Sequence, residues 1–190
     1  CAVDGKGTPI TTPINITDDF DNGAAPLRHA TNPDIGADEY NATGSGPLVG
    51  GNTYDIGTAA PLFKTITQAV RYLICYGVTG TGNVTLRLTD GVYSASKGVG
   101  LNEQFPISIP QIAGANTSNR IIFTPSTNTT ISADVSGAIF NHTGANWIEF
   151  DGIALTGANT LTIENASLSG GVMHYSGDAS NNALKALNII

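Results

Sequence analysis

One stretch of this chain has helical periodicity, and the sequence after it is too finely divided for another helix. Phe63, Ile66, Ala69, Val70, Leu73 and Ile74 recur at spacings of three and four and form one apolar face, with Lys64, Gln68 and Arg71 opposite. Pro61 suits a first helical turn and Gly77 a C-terminal stop, so the spacing predicts a single helix near 63–76. Beyond it come short segments that alternate or run apolar: 84–88, 107–109, 120–123, 130–133, 138–141, 147–150, 153–156, 161–164 and 184–190. Turn material such as "TDG", "AGANTSN", "TPSTN" and "TGAN" separates them. Strands this short and close leave no room for a crossover helix between each pair, which excludes an ordinary α/β sheet. A sandwich or a coil of strands remains.

The stretch "HTGANWIEFDGIALTGANTLTIEN" bears on that choice. It reads as two strands broken by Asp151-Gly152, then a turn and a third strand. A bend of one or two residues inside an apolar run is how a β-solenoid turns a corner. Asp-Gly also favours a two-residue antiparallel hairpin, which is the alternative.

Ahead of the helix the chain is different. Residues 1–40 are turn-rich, with "VDGKG", "DDFDNG" and "NPDIGADEY", and residues 41–53 form a Gly-rich stretch without periodicity that reads as a linker. Composition narrows the partners. A net charge of −7 with only 8 Lys+Arg argues against nucleic acid, whose phosphates need clustered cations. No apolar run approaches the roughly 18 residues of a membrane span. Low charge and abundant Asn and Thr point to a secreted, extracellular or cell-surface protein. Of the two cysteines, Cys75 falls inside the helix pattern, where a buried free thiol is the plain reading. For Cys1, a bond to Cys75, a bond between chains and a lipid anchor all stay open. Asn-x-Ser/Thr triplets occur at Asn15, Asn41, Asn83, Asn116, Asn128, Asn141 and Asn165. In so Asn- and Thr-rich a chain, chance explains most of them.

Several of these segments resemble a known family. "PLFKTITQAVRYL" is similar to the N-terminal capping helix of right-handed parallel β-helices of the pectin-lyase-like type, and "GNVTLRLTDGVYS" to the strand and turn that follow it. "NRIIFTPSTNTTISAD" and "NWIEFDGIALTG" resemble successive coils. "NPDIGADEY" resembles a segment that closes β-helix domains of large secreted proteins of the Bacteroidetes type. The resemblance implies an all-β fold: a right-handed parallel β-helix over 54–190, one N-terminal capping α-helix near 63–76, and an extended N-terminal arm over 1–40. In that reading Phe63, Ile66, Val70, Leu73 and Ile74 cover the first coil.

Catalytic chemistry is poorly represented. A lyase of this fold would need acidic calcium ligands on successive coils beside an Arg or Lys base, and a hydrolase would need paired carboxylates. Glu149 and Asp151 share one side of a strand, but Asp151 before Gly152 reads as a turn former. Arg87 and Arg120 fall on different coils with no acidic cluster beside either. His29, His142 and His174 lack metal-ligand spacing, and His142 reads as a turn or surface residue. "DDFDNG" places Phe20 where a calcium loop needs an oxygen ligand. Trp147 suits a sugar-stacking platform or the core. The expectation is no catalytic site, no metal and no cofactor.

The order of the segments then suggests a role. A closing-type segment lies at 1–40, whereas the tail "NNALKALNII" is apolar and has no polar cap. The arm of one copy would complete the open end of another, with copies of itself as the partner. Ile14, Ile16 and Ile35 would be apolar anchors, and Asp34, Asp38 and Glu39 would terminate the coil. The receiving end would carry Leu187, Ile189 and Ile190. The expected function is a secreted, non-enzymatic structural subunit of a head-to-tail filament or adhesive surface layer. The alternative is a fragment of a carbohydrate-binding or polysaccharide-cleaving β-helix, with surface carbohydrate as partner.

Overall fold

The computed structural model describes residues 46–98, 100–153 and 157–190. All but Gly46 of these belong to one compact unit, Pro47–Ile190. The expectations for the 1–40 arm lie outside the described residues.

The helix, α1 (Ile66–Tyr76), begins later than the sequence suggested. Pro61 lies ahead of it, and Thr65 is the N-cap, its side chain accepting from the Gln68 amide. Gly77 ends it as expected, at a positive φ (71°) that glycine adopts without strain, with its amide donating to the Leu73 carbonyl. Ile66, Val70 and Leu73 are buried, and Phe63 is buried just upstream, bridged to Ile56. Ile74 corrects the expectation. It is 47% exposed, because its place beside Leu73 turns it off the buried stripe.

The first strands are β1 (Leu48–Val49), β2 (Thr53–Ile56), β3 (Val78–Thr79), β4 (Val84–Leu88), β5 (Val92–Ser94) and β6 (Ile107–Pro110). Then follow β7 (Ile121–Pro125), β8 (Thr129–Ala133), β9 (Ala138–Thr143), β10 (Ile148–Asp151), β11 (Leu161–Asn165), β12 (Gly171–Ser176), β13 (Ala183–Lys185) and β14 (Leu187–Ile189). Every pairing between named strands is parallel. The sheets run β2–β4–β7–β10–β13, β5–β8–β11–β14 and β6–β9–β12, with β1–β3 as a separate pair. Three successive turns, β4–β5–β6, β7–β8–β9 and β10–β11–β12, thus each contribute one strand to each long sheet, with β2 before them and β13 and β14 after. The fold is a parallel β-solenoid of about 4 turns with one short helix.

Two sequence readings change here. The end of the supposed linker carries β1, whose Leu48 is buried and pairs with Val78. Asp151-Gly152 makes a corner, since β10 and β11 belong to different sheets, so the hairpin alternative is excluded. Gly is required there: a Cβ on Gly152 would lie 2.0 Å from the Ala186 carbonyl oxygen of the next coil.

The core is a set of ladders in which equivalent residues stack. Leu86, Phe123 and Phe150 form one row in the first sheet, with the two rings parallel and 4.8 Å apart. That separation equals the strand spacing of about 4.8 Å, so register alone places the rings in contact. Tyr93, Ile131 and Ile163 form a row in the second sheet. Ile107–Phe140–Met173 and Ile109–His142–Tyr175 form two in the third.

The corners explain the Asn content. Asn165 accepts from the Val135 and Ser167 amides and donates to the carbonyls of Val135, Gly137 and Gly171. Asn182 accepts from the Ile148 amide and donates to the Ala145 carbonyl. At a corner the chain leaves the strand ladder, and a short amide side chain satisfies the backbone groups so freed.

Candidate functional site

Charged side chains stand on the outer face of the first sheet and are spent on one another. Asp55 and Arg87 are opposite each other in β2 and β4 and form a two-bond pair at 2.6 and 2.8 Å. That pairing, above all its side-chain hydrogen bond, raises the Arg87 pKa. Glu149, only 3% exposed, accepts from Lys185 at 2.7 Å and lies 3.7 Å from Arg120. Arg120 also donates to the Asn181 carbonyl at 2.8 and 3.0 Å and covers the Trp147 ring at 5.3 Å. Near the corner after β4, Asp90 accepts from Lys97 and from the Thr58 amide and hydroxyl. Burial pushes its carboxyl up, but these donors outweigh it and hold the pKa below the usual range.

These contacts fill in the sequence reading of the charges. Arg87 and Arg120 lie on different coils, and each meets a single carboxylate of a neighbouring strand rather than an acidic cluster. Glu149 and Asp151 share a face but do not act as a pair: the first is bound up with cations, and Asp151 accepts from the Ile153 amide as the turn former expected. Trp147 is half-buried against the core, in a left-handed conformation (φ 68°) at the corner into β10.

Glu103 was not singled out by sequence reasoning. It is buried and accepts from the Ile66 and Thr67 amides and the Thr67 hydroxyl, holding the helix N-terminus. Burial still pushes its carboxyl up. Its signal was faint, since a lone Glu in a loop gives no spacing to read.

The surface left unspent is the last coil. β12, β13 and β14 are the final strands of their sheets, so each presents one unpaired edge among the described residues. Tyr175, Leu184, Ile189 (53%) and Ile190 (76%) are exposed there, while Val172, Met173 and Leu187 are partly buried against the core. Ile190 still pairs backward, its amide donating to Ile163 and its carbonyl accepting from Asn165. Leu187 and Ile189, two residues apart in β14, stand in register with the buried Leu161 and Ile163, and Ile190 follows them in the chain. Ile14, Ile16, Asp34, Ile35, Asp38 and Glu39 lie outside the described residues.

Two further placements correct the sequence reading. His142 is a core residue rather than a surface one. Cys75 is exposed and disulfide-bonded rather than a buried free thiol. Among the described residues no group of three or more His, Cys, Asp or Glu is placed to hold a metal ion, and no helix is long and apolar enough to cross a membrane.

A family described as a protein of unknown function, DUF1565, matches residues 49–182, which spans the solenoid from β1 to the corner before β13. Neither a curated protein nor a solved structure matches the chain.

Proposed function

We propose, for a chain that belongs to the DUF1565 family, a structural rather than a catalytic role: a secreted, extracellular or cell-surface subunit that assembles head to tail into a filament or adhesive layer. The coil is read as right-handed, the hand that parallel crossovers adopt in nearly all cases. The observation that carries the proposal is the last coil, where three strand edges unpaired among the described residues coincide with exposed Tyr175, Leu184, Ile189 and Ile190. Such an edge is a template for another strand, and its apolar side chains gain by being covered. The occupant proposed is the 1–40 segment of a second copy, whose Ile14 and Ile16 alternate as a strand requires and whose Asp34, Asp38 and Glu39 would leave a charged terminus. A contact between unlike ends need not close, so it propagates.

Deletion of residues 1–40 tests this by sedimentation velocity. The shortened chain is expected to stay folded and to lose self-association, and polymers unchanged by the deletion would contradict the arm-to-end contact.

Cleavage of polysaccharide has less support, because Glu149 is tied to Lys185 and Arg120 and Asp151 serves its corner. Acidic polysaccharides are expected to survive incubation with the protein, with or without calcium. Turnover that disappears in Arg120→Ala would reverse this reading.

A further inference from the structure

The third sheet carries one polar residue in an otherwise apolar inner row. His142 lies between Ile109 of β6 and Tyr175 of β12, and its ring is 4.6 Å from the Tyr175 ring and 6.3 Å from that of Phe150. It is 1% exposed, and among the described residues neither imidazole nitrogen has a hydrogen-bond partner. A buried polar group left unpaired in this way is a cost to the fold that an apolar ring of similar size would not carry. The titratable group facing it from β12 is Tyr175, while β6 and β10 present Ile109 and Phe150, and among the described residues no acidic residue is paired with it.

Position makes this residue consequential. Among the described residues β12 is an edge strand of its sheet and is held to the stack through β9, the strand that carries His142. Its side chains are half-buried at most, so β12 is the least anchored strand of the sheet.

We propose that His142 is an acid-sensitive latch for the last coil: a protonated imidazole cannot remain in the apolar row, and its expulsion releases β12 while the earlier coils stay stacked. Burial lowers the His142 pKa from 6.5 to about 4. The closed coil thus holds the neutral ring, and the opened coil takes up the proton at ordinary pH values. Between those two values the open form binds more protons. Closure is therefore complete above the window and weakens as pH falls through it.

Hydrogen exchange of the full chain from pH 7 to 4, corrected for intrinsic rates, tests the latch. Protection of 171–176 is expected to fall about tenfold for each pH unit below the ordinary histidine value, while 121–133 stays protected. In His142→Phe, and in His142→Leu should the first fail to fold, protection of 171–176 should lose this dependence. An imidazole NMR titration of the unsubstituted protein should report proton uptake together with opening. Equal pH dependence in the variants, simultaneous loss of protection in all coils, or titration near 6.5 without opening would each overturn the proposal.

Discussion

Asn165 shows how much a single side chain can hold at a corner. Its amide joins the turn after β8 to the turn before β12, with both the nitrogen and the oxygen in use. Asn165→Ala would leave several backbone groups without partners, at about 1–3 kcal/mol for each one that water cannot reach. The expected result is a clear drop in thermal midpoint, and an unchanged midpoint would mean that water replaces the side chain. The same commitment of Nδ2 makes Asn165 a poor acceptor despite its Asn-Ala-Ser context. Glu103 is a comparable case. Glu103→Gln keeps one carbonyl oxygen but sets an amide NH2 against a backbone donor, so destabilisation of about 1–3 kcal/mol is expected in chemical denaturation.

At the scale of elements, α1 separates what the sequence makes plain from what it hides. Val70→Asp would bury an unpaired charge against the solenoid, costing several kcal/mol, about 2–5. Ile74→Asp, at a position half open to water, should cost less than about 1 kcal/mol. Denaturation midpoints of the two variants check this directly, and equal losses would remove the assignment of the helix face. The apolar stripe was legible because four of its residues carry a strong 3.6-residue period. Ile74 was misread because a spacing of four from Val70 also fits a wider stripe. Longer strands such as β4, β7, β8 and β11 were legible from alternation, whereas β1, β3 and β5 have only two or three residues and leave no period to detect. β12 was missed because its "GVMHYS" is only half apolar, as suits a strand covered on one side. His142 did carry a signal: it lies two residues from Phe140, and period two places both side chains on one face. The corner hydrogen bonds of the Asn residues had none, since they join residues about 30 positions apart.

For the whole molecule, the parallel stack has two unlike ends. Among the described residues, β2 at one side is bridged to Phe63 just before α1, and β12, β13 and β14 at the other side each present one unpaired edge. Ile189→Asp changes an exposed side chain of that edge, so the fold should tolerate it with less than about 1 kcal/mol lost. Assembly should be strongly weakened, because the charge would be covered by the incoming strand. Light scattering of the variant beside the unsubstituted chain reads this difference. The measurement that tests the central claim most directly is electron microscopy of the purified full chain over a range of concentrations, with diffraction from aligned material. The account predicts unbranched filaments about one solenoid wide, with strands perpendicular to the axis and a repeat of about 4.8 Å along it. Monodisperse particles of single-chain mass at every concentration would contradict it.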